Sequence, residues 1–402
     1  MTTPVYAEAA LSSVPVSARS QAETATITPR PDVLFVLNNL GIGGSERKIV
    51  RLANRLKDEG VAVSLACLNG PFTLETGVRH DVPLQKLERT GKFSFGALWR
   101  LRRRLARDRP PTVISVNLYP ALYVMLAGLL LPNRPRTVAL VNTSTFTGPA
   151  LVKRLYRSVL ARFDLTVHGS EAQRDFWLTG DRAATGRSTV VYNGVDSDHF
   201  AADEFFEAAK RLRASLGVKP ESLLVGTVGM CRPEKNQAVL LTMLRSLRAA
   251  RVDVHLVIAG DGPMRAQLER RAAELEIADR VHFVGAIEDV RPLLAALDIF
   301  LLPSIAVESF SNAALEAMSM GRPVILSGIG GAREMIQDGV EGYVVAPSEL
   351  EARLPAIVAA LYADARKRRQ MGGAARLRAV TRFSVSAMVA GYRGLLQGGD
   401  HS

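Results

Sequence analysis

From Asp32 onward the sequence alternates short runs of β-branched and aliphatic residues with longer amphipathic segments, and it does so in two successive halves. This alternation is typical of βαβ units, which build a parallel sheet covered by helices. The predicted strands are 33–37, 61–68, 112–116, 137–141, 165–168 and 189–192 in the first half, and 223–228, 255–259, 281–284, 299–302, 323–326 and 342–345 in the second. We therefore predict an α/β protein with two separate parallel sheets.

A polar and charged stretch, 196–219, separates the two halves, and the alternation restarts at Ser222. Two doubly wound sheets of similar size indicate two Rossmann-like domains facing each other across a cleft, where the carboxyl ends of both sheets can contact one ligand. We predict a disordered tail at 1–31, a first domain at 32–212, a second domain at 213–383, and a helix at 384–402 that returns toward the first domain.

Composition excludes several classes of protein. With 402 residues, of which 48% are hydrophobic, the chain can bury large cores, so it is neither fibrous nor largely disordered. Cys67 and Cys231 lie far apart without a C-x-x-C pair, so we expect no disulfide framework and no zinc cage.

We expect no signal peptide in residues 1–30. The apolar stretch 118–131 contains Pro120 and is shorter than the ~20 residues of a membrane span, so it is predicted to be a buried helix.

Positive charge is concentrated in the first half, where 28 basic and 19 acidic residues precede residue 213, against 23 and 20 after it. The segment 92–109 combines seven basic residues with three aromatic ones. Leu98, Leu101 and Leu105 share one helical face, and the rest of the helix surface carries Arg100, Arg103, Arg104 and Arg107. This pattern suits a helix lying on anionic lipid headgroups. A surface helix whose apolar face packs in the domain core is the alternative. We expect no nucleic-acid partner, because no recognition motif for one is present.

The most specific segment runs from Pro303 to Val324 and contains Glu308 and Glu316, eight residues apart at the predicted start of a helix. Free backbone N–H groups at a helix start favour a phosphate. Carboxylates accept hydrogen bonds from vicinal sugar hydroxyls. Two glutamates at this spacing also occur by chance, so the spacing alone leaves both interpretations open.

Two further groups of residues suit a phosphorylated ligand. Gly43 and Gly44 follow the first strand, where they let the backbone approach a phosphate or sugar; a plain strand-to-helix turn is the alternative. Arg232 and Lys235 follow a strand of the second sheet and suit a pyrophosphate whose leaving oxygen gains charge. Solvated surface charge is the alternative for these two.

In this context the segment resembles the E-x7-E signature of the retaining glycosyltransferases of family 4, which have the two-Rossmann GT-B fold. The resemblance covers most of residues 33–396 and comprises, in the family's order, Gly41-Ile42-Gly43-Gly44-Ser45-Glu46, Tyr192-Asn193-Gly194-Val195-Asp196, Arg232-Pro233-Glu234-Lys235-Asn236, Gly260-Asp261-Gly262-Pro263, Glu308 to Glu316, and Gly330-Gly331-Ala332-Arg333-Glu334. It implies transfer of a hexose from a nucleotide-diphosphate sugar to a glycan or lipid-linked glycan, with the anomeric configuration kept.

The resemblance also implies roles for individual residues. Glu308, Lys235 and Arg232 would be catalytic, with Glu308 on the donor-sugar hydroxyls and the two cations on the leaving diphosphate. Glu316 would hold the ribose. The remaining donor-binding residues would be Gly43, Gly44, Gly262, Ser309, Phe310, Ser311 and Asn312.

The sequence departs from the family pattern at two places. Met230 follows Gly229 where many members carry an arginine, and no histidine occurs in 141–146, where the family often has one near the reacting sugar. Asn142 and Thr143 are the acceptor-side candidates there, and neither is a base near neutral pH.

We expect no cofactor and no metal. Asp196-Ser197-Asp198 has the form of a metal-binding D-x-D, but Asp196 also completes the N-G-V-D element of the family. The expected location is the cytoplasm or the inner face of the cell membrane, with an anionic membrane surface as a partner of the first domain. Another GT-B activity on a nucleotide sugar, such as an epimerase or a small-glycoside synthase, and a non-catalytic scaffold are the alternative functions.

Overall fold

The computed structural model describes residues 30–41, 43–91, 93–129, 131–142, 150–179 and 187–398, and in these ranges it shows two parallel sheets flanked by helices. Both sheets have the doubly wound strand order, in which the chain moves outward from a central strand and then crosses to the other side. The predicted α/β class and the two Rossmann-like units are thus confirmed.

The first sheet has seven parallel strands in the order β3-β2-β1-β4-β5-β6-β7. Its strands are β1 (Val33–Leu37), β2 (Val63–Cys67), β3 (Leu84–Lys86), β4 (Thr112–Val116), β5 (Arg136–Val141), β6 (Leu165–His168) and β7 (Ser188–Val190). Its helices are α1 (Gly44–Asp58), α2 (Phe95–Asp108), α3 (Leu118–Gly128), α4 (Ala150–Leu160) and α5 (Glu171–Leu178). The central strands are buried along their whole length because helices cover both faces.

The second sheet has six parallel strands in the order β10-β9-β8-β11-β12-β13. Its strands are β8 (Leu223–Val228), β9 (Val254–Ala259), β10 (Val281–Gly285), β11 (Ile299–Leu302), β12 (Val324–Ser327) and β13 (Gly342–Val345). The helices of this half are α6 (Phe206–Ser215), α7 (Ala238–Ala249), α8 (Arg265–Glu274), α9 (Arg291–Ala296), α10 (Asn312–Ser319), α11 (Ala332–Met335), α12 (Leu350–Ala363), α13 (Ala365–Arg382) and α14 (Val385–Leu396). Short 3-10 turns lie at Glu75–Gly77, Ala202–Phe205, Pro233–Lys235, Ala278–Arg280 and Pro347–Glu349.

The sequence pattern missed one strand. β3 has only three residues, and none of them is fully buried, so it carries no alternation of apolar and polar residues. It forms because its backbone pairs with β2 at the sheet edge. The other predicted strands are present, with ends shifted by no more than three residues.

Two segments join the domains. Val195, Phe200 and Ala209 pack in the core of the second domain, so the chain enters that core before residue 212. At the other end of the second domain, α14 packs its apolar face, including Val389 and Tyr392, into the core that also contains α1.

The apolar stretch beginning at Leu118 forms the helix α3, which buries one face, including Tyr123 and Val124, against the first sheet. Within the residues that the structure describes, no helix is long and apolar enough to cross a membrane.

Candidate active site

The candidate site is centred on an ion pair between the Lys235 ammonium and Glu308 Oε1, which lie on loops after β8 and β11. Ser304, which is fully buried, donates its hydroxyl to the same Glu308 oxygen at 3.2 Å. The Glu308 side chain is only 12% exposed. The carboxylate is therefore held by a cation and a hydroxyl at the carboxyl end of the second sheet, where doubly wound folds bind ligands.

The loop that carries Glu308 is conformationally strained. Val307 adopts φ +63°, a left-handed conformation that β-branched residues rarely take. Behind the loop, the Gly331 N–H donates to the Ser309 carbonyl at 2.7 Å. A Cβ at Gly331 would lie 2.8 Å from the Ser170 Cβ, so only glycine permits this approach of the two domains.

Helix α10 begins at the cleft. Ser311 is its N-cap and accepts a hydrogen bond from the Ala314 N–H at 3.3 Å. The Asn312 side-chain amide donates across the cleft to the Gly44 carbonyl at 3.3 Å. The predicted donor-binding residues of the two domains are therefore in direct contact.

Glu316 lies on α10 and is partly buried between the domains. Burial raises the pKa of its carboxyl to about 7, although Arg51 and Arg47 of α1 lower it in part. Both arginines belong to the first domain, so the charge of Glu316 depends on how the domains close. The sequence pattern did not single out Arg47 and Arg51, because their relation to Glu316 exists only in three dimensions.

The glycine loop of the first domain leads into α1, with Gly43 as the N-cap and Gly44 as the first helical residue. The Glu46 carboxylate covers Gly43 so closely that a Cβ there would displace it. Burial raises the pKa of Glu46, and a hydrogen bond from its own backbone N–H opposes this in part.

Arg232 lies beside the ion pair rather than in it. Its side chain is 48% exposed, and its Nη1 lies 3.8 Å from Glu234 Oε1. Gly262 has φ +151°, and its backbone packs against Cys231, which locks the loop after β9 onto the loop after β8. Met230 is 46% exposed, so the side chain at this departure from the family pattern faces solvent.

Phe310 lies just before α10 and packs in the core of the second domain. Its side chain is buried in an aromatic cluster with Tyr192 and Phe383, at centroid distances of 4.9 and 5.0 Å. Its carbonyl accepts a hydrogen bond from the Asn193 amide at 2.7 Å. These contacts hold the start of α10 against the segment that joins the domains.

Glu334 makes a second contact across the cleft. Its two carboxylate oxygens accept from the backbone N–H groups of Glu171 at 2.7 Å and Ala172 at 2.9 Å. These are the first residues of α5, so an acidic side chain of the second domain caps a helix of the first domain. The motif containing Glu334 was recognised in the sequence, but its partner was not.

On the acceptor side, Asn142 follows β5, and its backbone N–H donates to the Asn117 side chain at 3.1 Å. Its own Nδ2 is buried without a hydrogen-bond partner among the described residues, as is the Oδ1 of Asn69. An asparagine therefore lies at or just past the end of each of four adjacent strands: Asn69 after β2, Asn38 after β1, Asn117 after β4 and Asn142 after β5. Thr143 lies outside the described residues.

Asp196 is engaged in contacts between segments. Its Oδ2 pairs with Arg55 at 3.2 Å, and its Oδ1 accepts from the His199 N–H at 3.2 Å. Over the part of the chain that the structure describes, no group of three or more His, Cys, Asp or Glu side chains is placed to hold a metal ion.

Comparison with known families identifies two regions of similarity. The family Glycosyltransferase Family 4 matches residues 42–199, and the family Glycosyl transferases group 1 matches residues 208–378. A GDP-mannose-dependent α-(1-6)-phosphatidylinositol monomannoside mannosyltransferase of Mycolicibacterium smegmatis is 35% identical over 191 residues. That match covers 46% of this chain and 49% of the relative, so the chain spans about half the length of that protein.

Two further similarities extend over most of the chain. A phosphatidyl-myo-inositol mannosyltransferase of Mycobacterium leprae is 26% identical over 355 residues, covering 86% of this chain and 90% of the relative. The crystal structure of HepE from Anabaena in complex with UDP superposes with a TM-score of 0.80 at 22% identity, covering 91% of this chain and 99% of that one. This structural similarity establishes the GT-B fold.

Proposed function

Because the chain belongs to the family 4, or group 1, glycosyltransferases, we propose that it transfers a hexose, with retention of configuration, from a nucleoside-diphosphate sugar to a glycan or lipid-linked glycan. The observation that carries this proposal is the Glu308–Lys235 pair at the cleft, with Glu316 eight residues further along at the domain contact. In this pair, Glu308 can accept hydrogen bonds from sugar hydroxyls, and Lys235 is a cation suited to the leaving diphosphate.

In the reaction, the bond between the anomeric carbon and the β-phosphate oxygen breaks while a bond to the acceptor oxygen forms on the same face. The acceptor proton passes to the departing diphosphate, so no enzyme base is required. Lys235, Arg232 and the N–H groups at the start of α10 stabilise the charge that develops on the leaving group. Glu308 orients the sugar hydroxyls, and Glu316 accepts hydrogen bonds from the ribose.

We propose GDP-mannose as the first donor to test, because two relatives are named as mannosyltransferases and one of them as GDP-mannose-dependent. The asparagines at the ends of β4 and β5 support a polyhydroxylated acceptor. Each amide both donates and accepts hydrogen bonds, as sugar hydroxyls do.

The test measures binding and turnover separately. A thermal-shift series with GDP, UDP and ADP should show stabilisation by the matching nucleotide, about 2.7 kcal/mol at a hundredfold excess over Kd. Release of that nucleotide from its sugar conjugate is then measured with lipid and glycan extracts, with product analysis. Glu308→Gln should reduce turnover more than nucleotide affinity, and Glu351→Gln, an exposed change on α12, should alter neither.

The alternatives give different results. A scaffold would bind nucleotide but release no product, and an epimerase would change the sugar without transferring it. A folded sample that responds to no nucleoside diphosphate would contradict the proposal.

We also propose that the first domain docks on an anionic membrane surface. On α2, Phe95 is 80% exposed and Trp99 is 60% exposed, and the Arg103 guanidinium lies 5.5 Å from the Trp99 ring centroid. On α4, Leu151 and Leu155 are 77% and 51% exposed. Helices α2, α3 and α4 cover the same face of the sheet, so apolar and basic side chains project from one layer.

Contrary to the helical pattern, not all basic side chains of the segment 92–109 lie on the surface. Arg104 is buried, pairs with Asp108 at 3.0 Å and donates to Gln85 at 3.1 Å. Arg102 donates to the Ala127 carbonyl at 3.1 Å. These two arginines hold α2 in place, so a docking test should leave them unchanged.

Cosedimentation with vesicles tests the docking. Binding should require phosphatidylglycerol in phosphatidylcholine vesicles, weaken as salt rises, and fall when Trp99 and Arg103 are both changed to Ser. Phe206→Ser, which removes an apolar side chain that is 66% exposed on α6, is the control. Equal binding to neutral vesicles, or no binding at low salt, would contradict a membrane role.

A further inference from the structure

A second cavity lies at the amino ends of the first sheet, away from the glycine loop. It has a volume of about 860 Å³ and is lined by residues just before β1, at the start of β2, in and before β3, and in the last turns of α1 and α2. The five-residue strands β1 and β2 separate it from the cleft, a length of about 16 Å. Its volume is within the roughly 300–1,000 Å³ of small-molecule sites.

The lining of this cavity is strongly basic. Five basic side chains face two acidic ones, Asp81 and Asp108. The basic residues are Arg30, Lys57, Lys86, Arg104 and Arg107. Asp108 is shared by two arginines, since it lies 3.0 Å from Arg104 Nε and 2.6 Å from Arg107 Nε. Asp81 is paired with Arg79 at 2.9 Å, and Lys86 is paired with Glu75 at 2.7 Å, so Arg30 and Lys57 are the lining cations with no ion pair of 4 Å or less among the described residues.

One buried polar group points to a ligand rather than to surface charge. Ser64 on β2 is 2% exposed and lines the cavity, and its hydroxyl has no hydrogen-bond partner among the described residues. Arg104 is 7% exposed and also lines the cavity, and burial lowers the pKa of its guanidinium although the pair with Asp108 opposes this in part. A buried hydroxyl without a partner costs free energy, which a hydrogen bond to an anion in the cavity would offset.

Helix-end electrostatics accounts for only part of this arrangement. Lys57 and Arg107 lie in the last turns of α1 and α2, where cations complement the exposed carbonyl groups. The buried Arg104 is held by Asp108 and Gln85, but neither explanation extends to the Ser64 hydroxyl on a strand or to the cavity itself.

We propose that this cavity is a second ligand site, separate from the catalytic cleft, for a small polyvalent anion that carries phosphate or carboxylate groups. Arg104 and the Ser64 hydroxyl bind the anion at the base of the cavity. Lys57 and Arg107 bind it at the rim, where their charges attract it over several ångströms. The site does not depend on the transfer reaction.

Isothermal titration of the full-length protein with inorganic tripolyphosphate and, separately, with citrate tests the proposal and distinguishes the two kinds of anion. The combined change Lys57→Ser and Arg107→Ser should raise Kd about tenfold or more, and rising salt should weaken binding. Lys235→Ala should leave binding intact, because its charge lies in the other domain. Loss of binding in Lys235→Ala, with binding retained in the double variant, would place the anion in the cleft and overturn the proposal.

Ser64→Ala separates binding from folding. Among the described residues the hydroxyl has no partner, so the variant should be at least as stable as the wild type in thermal unfolding while binding the anion more weakly. Unchanged affinity in Ser64→Ala, or no measurable binding of either anion by the wild-type protein, would also overturn the proposal.

Discussion

Replacing Lys48 by methionine should stabilise the folded protein. Lys48 lies on α1 and is 5% exposed, and its ammonium has no hydrogen-bond partner among the described residues. The ammonium lies 5.6 Å from the centroid of the Tyr392 ring of α14. The ammonium is thus buried where α14 packs on the first domain, and within the described part of the chain a cation–π contact is what opposes its desolvation.

The magnitude follows from the pKa. Burial lowers the pKa of Lys48 from 10.5 to about 8. A pKa difference of one is worth about 1.4 kcal/mol, so the charged lysine lowers the free energy of unfolding by about 3 kcal/mol. Methionine has a similar length and no charge, but it loses a cation–π contact of about 0.5–1 kcal/mol. We therefore expect Lys48→Met to raise the unfolding free energy by about 2 kcal/mol at neutral pH.

The same pKa predicts a pH dependence. Between pH 8 and 10.5 the unfolded chain binds more protons at Lys48 than the native chain, so wild-type stability should rise with pH across this window. The methionine variant should lack this rise, and its advantage should vanish near the upper end of the window.

Urea denaturation followed by circular dichroism at several pH values measures both effects. The midpoints of variant and wild type are compared once their denaturation slopes have been shown to be equal. Lys210→Met, the same change at an exposed position of α6, is the control and should have little effect. A Lys48→Met variant that is less stable than the wild type, or that keeps the rise above pH 8, would refute the reasoning.

Three other outcomes are expected. Because burial raises the pKa of Glu316 to about 7, nucleotide affinity should fall as pH drops below that value, and Glu316→Gln should remove this dependence; calorimetry from pH 6 to pH 8 checks both. Gly331→Ala should lower the midpoint of thermal unfolding and the turnover together, since its Cβ would lie 2.8 Å from the Ser170 Cβ, whereas Gly373→Ala, in open space on α13, should lower neither. Turnover should continue in excess EDTA, because Lys235 and the start of α10 already face the expected position of the diphosphate; complete loss with recovery by magnesium or manganese would contradict this.

The periodicity of the sequence was sufficient for the architecture. Both sheets, nearly all their strands and the buried helix at Leu118 could be predicted, because hydrophobic runs of strand length and amphipathic stretches of helix length are local properties. β3 could not be predicted, because a three-residue edge strand forms through backbone pairing with β2 and needs no apolar pattern of its own.

The sequence by itself determined which residues of the candidate site are chemically suited to a phosphorylated sugar, since residue types and short spacings such as that of Glu308 and Glu316 are encoded along the chain. Only the tertiary structure decided which of them meet. It paired Lys235 with Glu308, placed Arg47 and Arg51 of one domain near Glu316 of the other, and buried Arg104, which the helical pattern had put on the surface. The Lys235–Glu308 pair forms because parallel strands of one sheet bring loops 73 positions apart to the same edge, and Arg104 is buried by the packing of α2 inside the first domain. The contact of Arg47 and Arg51 with Glu316, more than 260 positions away, depends on how the two domains dock.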